Sequence, residues 1–200
     1  MHKKITKLAS LALDFGKVDR ITSHQDGIHP ESDTDHTVML GILGTALASK
    51  LYKDLDLGLV AQFALVHDLV EVHAGDTPTL VGVTPDFSKK KEKREKIAFN
   101  KIKKEFGGHF DWIHETIEKY EKLDTKEARF IKVLDKILPK ITVILNKAKA
   151  VNDKNLANRE GVRISQNAQR EQLKNIAYDM PEMLEIWEYF SLKQIKFINK

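Results

Sequence analysis

LGLVAQFALVHDLVEVHAGDTP, residues 57–78, is the stretch on which the fold turns. From Leu57 to Val72 apolar residues fall on every side of a 3.6-residue period, which predicts a helix buried in the middle of a domain. His67, Asp68 and Glu71 interrupt that apolar run. Burying an unpaired ionisable group costs on the order of several kcal/mol, so the three need compensation, and a bound cation is the simplest partner for a His–Asp–Glu group. His67 and Asp68 lie about 100° apart around a helix and can grip one ion from the same turn. Glu71 follows three and four residues later, on the same patch. Gly75 suits the helix end, and Asp76-Thr77-Pro78-Thr79 forms a turn able to sit over the patch.

Composition frames that helix. Two hundred residues with 42% hydrophobic content can bury a sizeable core, so one domain over 1–200 is expected. There is no cysteine, which excludes a disulfide framework and a thiolate zinc site. The Met1-His2-Lys3-Lys4 start leads into a segment too polar for a signal sequence, and no run of eighteen apolar residues is apparent. A soluble, cytoplasmic protein with no membrane partner is the expectation. The net charge of +4 is spread over helix surfaces where lysines alternate with acids. That pattern suits a small anionic substrate better than nucleic acid.

Working outward, apolar spacing predicts a helix from Lys3 to Phe15, stopped by Gly16. Lys17 to Ser32 is a polar linker carrying Arg20, which can either hold a phosphate or serve as a solvated arginine. Ser32 or Asp33 caps a second helix to about Tyr52, with His36 near its start. Ser88 opens KKKEKREKIAFNKIKKEF, a basic run with an inner face of Ile97, Phe99 or Ala98, Ile102 and Phe106, read as a solvated helix face. A further helix spans Phe110 to Lys122. Asp124-Thr125-Lys126-Glu127 has capping-box spacing and starts a long helix to about Ala150, with Pro139 expected to kink it. Asp135, enclosed by Phe130, Ile131, Val133, Leu134, Ile137 and Leu138, needs a partner and is a fourth ligand candidate. Helices from Gln166 to Tyr178 and Pro181 to Asn199 complete an all-α chain, a helical bundle around the buried central helix.

A His-Asp pair alone arises by chance, but the order does not: His36, then His67-Asp68, then Asp135, on three different expected helices. This order resembles the H…HD…D pattern of the HD-domain superfamily of metal-dependent phosphohydrolases. DTDH ending at His36, HDLVEVHAGDTPT from His67 to Thr79, and VLD ending at Asp135 resemble more closely the bacterial HD-domain 5′-deoxynucleotidases. The segments span about 20–140, with the C-terminal helices packing on that core. The resemblance implies that His36, His67, Asp68 and Asp135 ligate one divalent metal, that Glu71 and Asp76 are the catalytic acids, and that Arg20, Thr77 and Thr79 bind substrate. It also implies a nucleotide substrate, a nucleoside 5′-monophosphate, and a homodimer. Ile21 stands where that family places a tryptophan, so the resemblance leaves deoxyribose preference open.

Two imidazoles and two carboxylates make a borderline N/O site for Mn, Co, Zn, Fe or Ni rather than Ca. The metal would acidify water and polarise the phosphoryl group. Glu71 can then assist proton transfer, while Asp76 orients the sugar or protonates the leaving oxygen. His73 points elsewhere on the helix and is expected on a surface or in packing. Alternatives are a deoxynucleoside triphosphate hydrolase on the same site, a di-iron oxygenase lacking persuasive extra histidines, and a non-catalytic metal or nucleotide-binding module.

Overall fold

Helical periodicity accounts for nearly all of the chain. In the computed structural model, which describes residues 1–77 and 85–199 without the side chains of 85–87, the elements run α1 (His2–Phe15), β1 (Asp19–Ser23), β2 (Pro30–Ser32), α2 (Asp33–Leu51), α3 (Leu57–Val66), α4 (Glu71–Ala74), α5 (Pro85–Phe106) and α6 (Asp111–Lys122). There follow α7 (Lys126–Leu145), α8 (Lys149–Asp153), α9 (Arg159–Ile176) and α10 (Pro181–Ile195). The described residues form two compact units, one of 1–19, 32–77 and 85–128, the other of 20–31 and 129–199.

In the first unit, α1, α3 to α6 and the turn after α3 share a core of Leu11, Val66, Val70, Ala98, Ile102, Phe106, Ile113 and Ile117. Strong caps fix where its helices start. The Ser32 hydroxyl accepts from Asp35 N–H while the Asp35 carboxylate accepts from Ser32 N–H, a reciprocal pair that begins α2 one turn before His36. Asp56 takes the N–H groups of Gly58 and Leu59 at the start of α3, a cap worth about 1 kcal/mol.

The continuous central helix expected over 57–72 is interrupted. The His67 N–H still reaches the Phe63 carbonyl, but Leu69, Glu71 and His73 bond three residues back, to Val66, Asp68 and Val70. This tightening toward three residues per turn brings side chains three apart into line, so it aligns Asp68 with Glu71. Nor is the helix buried all round: Val60, Phe63, Ala64 and Val66 face inward, while Leu57 and Leu65 are exposed. Leu57–Ala74 has the length and mean hydropathy of a membrane-spanning helix. Its interruption and its four ionisable residues, His67, Asp68, Glu71 and His73, match instead the pattern of a core element that carries a site.

The second unit is built on α7, whose Phe130, Ile131, Val133, Leu134, Ile137 and Leu138 are all buried. The helix runs on through Pro139, which withholds the N–H that the Asp135 carbonyl would otherwise accept. It ends at Leu145, and two residues in left-handed conformation, Lys147 and Ala148, separate it from α8, so the single helix expected to Ala150 is two. Thr125, one residue later than expected, provides the cap by accepting from Ala128 N–H. The helix expected from Gln166 starts earlier, at Arg159, because Asn158 accepts from Gly161 N–H. α9 and α10 are tied by Gln166, which donates to the Gln194 side chain and the Ser191 carbonyl.

The linker before α2 contains β1 and β2, paired through a turn in which Asp26 accepts from the N–H groups of Ile28 and His29. Gly27 occupies that turn at φ +67°, and a Cβ there would lie 2.6 Å from the Lys149 Cβ. Both conditions demand glycine. Asn146, just past the end of α7, anchors the strand by donating to the Ser23 carbonyl.

Candidate metal centre

His36 and His67 meet inside the first unit. His36 is fully buried on α2, and its ring lies 5.3 Å from that of His67, centroid to centroid. His67 Nδ1 lies 2.8 Å from the Ala64 carbonyl oxygen, which can only accept, so this nitrogen carries the hydrogen and Nε2 presents its lone pair. Nε2 lies 3.0 Å from Asp68 Oδ2. Two electron-rich atoms so close repel unless the ring takes a second proton or a cation joins them. Ligand atoms of His36, His67 and Asp68 all lie within 4.8 Å of one another. Ligands bonded at about 2.1 Å and at right angles about one ion sit about 3.0 Å apart, so the donor set fits a divalent transition metal.

A second group shares Asp68. Oxygens of Asp33, Asp68 and Glu71 also lie within 4.8 Å of one another, and Asp33 and Glu71 are almost wholly buried. Burial, then the charges of Asp68, Asp76 and Asp33, push the Glu71 carboxyl up to about 10, opposed by Lys91. Lys91 Nζ lies 3.8 Å from Glu71 Oε1 and 3.3 Å from Glu95 Oε1. Without metal, Glu71 is therefore protonated at neutral pH, a carboxylic acid held beside a carboxylate.

Beyond α4, Asp76 is half-buried and Thr77 is buried, its hydroxyl oxygen accepting from Arg94 at 2.7 Å. Thr79 lies outside the described residues. His73 is half-buried, with Nδ1 3.1 Å from Lys101 Nζ. Asp135 and Arg20 belong to the second unit. There Asp135 is buried on α7, with Lys136 at 2.7 Å, and Arg20 is half-buried on β1.

Three participants were not singled out by sequence. Asp33 reads as a first-turn acid that complements the helix dipole, yet it is buried among carboxyls. Lys91 and Arg94 sit in the basic run of α5. Their signal is the true inner face, Ala98, Ile102 and Phe106: stepping back from Ala98 by three and four residues reaches Glu95, Arg94 and then Lys91. Ile97, expected on that face, is exposed.

No curated protein matches this chain. Among solved structures it is similar to a predicted metal-dependent phosphohydrolase from Magnetospirillum magnetotacticum, with 20% identity, a TM-score of 0.71, and coverage of 98% of this chain and 96% of the other. A conserved hypothetical protein from Pyrococcus furiosus is 24% identical, with TM-score 0.59 and coverage of 90% and 99%. A protein from Pyrococcus horikoshii is 21% identical, with TM-score 0.58 and coverage of 95% and 99%. At these identities the likeness is one of fold. The HD domain family model matches residues 16–177, most of the chain, and the chain therefore belongs to the HD-domain family.

Proposed function

We propose that this protein is a metal-dependent phosphohydrolase acting as a 5′-nucleotidase on nucleoside or deoxynucleoside 5′-monophosphates. The observation that carries this reading is the His36–His67–Asp68 group, with its imidazole lone pair and carboxylate 3.0 Å apart. In this reading Asp135 is the fourth ligand. Its support is a buried carboxylate in an apolar helix and its place in the H…HD…D order. The family match draws residues from both units, which supports treating 1–200 as one HD-type domain. The absence of cysteine suits a reducing, cytoplasmic setting.

Bound there, a divalent ion would polarise the phosphoryl oxygen and lower the pKa of a bound water. The chain's own residues supply the rest. His67 holds its ring orientation through Ala64, so its Nε2 keeps one direction. Glu71 stands beside Asp68 and can take up or release a proton at its carboxyl. Asp76, just past α4, orients the sugar or delivers a proton to the leaving oxygen. Arg20, Thr77 and Thr79 complete the proposed substrate contacts.

The test is a screen of nucleoside mono-, di- and triphosphates with Mn, Co and Zn, scored by released phosphate and pyrophosphate. Monophosphate turnover supports the proposal. Pyrophosphate or triphosphate from the triphosphates alone would replace it with a triphosphate hydrolase. Metal and nucleotide binding without turnover would make the chain a binding module.

A further inference from the structure

Oxygens of Asp33, Asp68 and Glu71 lie within 4.8 Å of one another in the first unit. A phosphate monoester that reaches this group brings a charge of about −1.5 to −2 at neutral pH. Cations of the same unit that border these carboxyls are its natural binding groups.

α5 brings two. Lys91 differs from its neighbours: its side chain is only 28% exposed, whereas Lys89, Lys90, Lys93 and Lys96 point to solvent. Burial works against its charge, but its acidic neighbours, Glu95 foremost, outweigh burial and raise its pKa. Glu95, one turn on, holds Lys91 toward the carboxyl group. Arg94, three residues after Lys91, places its guanidinium on the Thr77 hydroxyl beside Asp76. That contact uses one of five N–H donors, and the planar fork suits a phosphate oxygen pair.

We infer that Lys91 and Arg94 are the phosphate-facing cations of this site, binding the non-bridging oxygens of a phosphate monoester dianion, with Glu95 as a positioning residue for Lys91. The inference rests on the phosphohydrolase proposal and adds substrate-binding residues that the H…HD…D order does not contain. The basic run thus has two faces with different work. Its outer lysines solvate the helix, while half-buried Lys91 and the guanidinium that exposed Arg94 sets on Thr77 receive the substrate.

Inorganic phosphate is the probe, titrated calorimetrically into the manganese-loaded full chain, with metal content and steady-state kinetics measured on the same preparations. Lys91→Gln and Arg94→Gln should each weaken phosphate binding by about tenfold or more, the usual worth of a charge-assisted hydrogen bond. KM should rise in parallel, kcat should change by less, and metal content should hold. Lys91→Arg should restore most of the affinity. Lys93→Gln and Lys96→Gln, which remove the same charge from the outer face, should bind phosphate as the unaltered chain does. Equal losses in these controls would reduce the effect to net charge and overturn the inference, as would unchanged affinity in both inner variants or losses that merely follow lost metal. If the unaltered chain hydrolyses phosphate esters while the inner variants behave normally, only this inference fails. If it neither binds phosphate nor hydrolyses any ester, the phosphohydrolase proposal fails with it.

Discussion

In the first unit, oxygens of three acids, Asp33, Asp68 and Glu71, lie within 4.8 Å of one another, and Glu71 Oε2 has no hydrogen-bond partner among the described residues. Three buried groups of the second unit instead meet unlike partners. Lys140 donates to Gln169 and lies 5.1 Å over the Trp187 ring, Gln166 bonds Gln194, and Arg129 meets Asp179 at 2.6 Å. Both arrangements forgo solvation, but the first gathers like charges while the second sets complementary groups together. Like charges crowded into a buried place are costly, and the cost persists where a ligand repays it. The contrast therefore marks the gathered carboxyls of the first unit as the place where a ligand would repay the crowding.

The sharpest way to break the contrast is to remove an acid that the metal is proposed to need. Asp68→Ala takes away the carboxylate shared by both groups, and it should abolish bound metal and phosphohydrolase activity together. Asp135→Ala should do the same from the second unit. Elemental analysis of the purified variants decides the matter: full metal occupancy in Asp135→Ala would move the fourth ligand elsewhere.

Glu71→Gln is next in size. Glutamine keeps the shape and cannot pass a proton, so turnover should fall by about a hundredfold or more while metal content and nucleotide affinity are retained. Loss of the ion would make Glu71 a ligand instead. Unchanged turnover would shift the proton role to Asp76.

The same residue sets a smaller, pH-dependent effect in metal-free protein. A carboxyl pushed up from its ordinary 4.5 to about 10 holds its proton when folded and loses it when unfolded across that range. Between those values the folded state binds more protons, so stability falls as pH rises across the window. In chelator, thermal melts of the unaltered protein should decline from pH 5 to 9 more steeply than those of Glu71→Gln. Parallel curves would show that Glu71 ionises freely in the fold.

Much of this was legible in sequence, for stateable reasons. The 3.6-residue period found the helices because one-sided burial leaves that trace, and Asp135 stood out as a charge in an apolar run. The break at 67–70 was invisible, because an unbroken apolar pattern cannot distinguish four-residue from three-residue hydrogen bonding. Asp33 was hidden by a second plausible task, stabilising a helix start. Lys91 and Arg94 were hidden by their neighbours: in KKKEKREK the pattern is so uniformly polar that only the register of Ala98, Ile102 and Phe106 tells inside from outside. β1 and β2 were missed because residues 17–32 lack the length of alternating apolar residues that marks a strand.

The scaffold half of the comparison can be tested alone through Lys140. Burial, reinforced by the charge of Lys136 and opposed by Asp135, lowers its pKa from 10.5 to about 7. Between about 7 and 10.5 the unfolded chain binds a proton that the folded chain does not, so this residue makes stability rise with pH across that window. Below it the lysine is charged in both states, and the full desolvation cost remains. Lys140→Met keeps the methylene volume and discards the charge. Its partner is not left wanting, since Gln169 Oε1 still accepts from the Trp187 indole N–H at 2.8 Å. The variant should therefore be more stable at pH 7 and below by about 1 kcal/mol, raising Tm by roughly 2–4 °C. The gain should shrink toward pH 10, and metal content and turnover should not change. A destabilised Lys140→Met protein would mean that the ammonium's contacts with Gln169 and Trp187 outweigh its desolvation, and a loss of metal would place Lys140 on the functional side of the contrast.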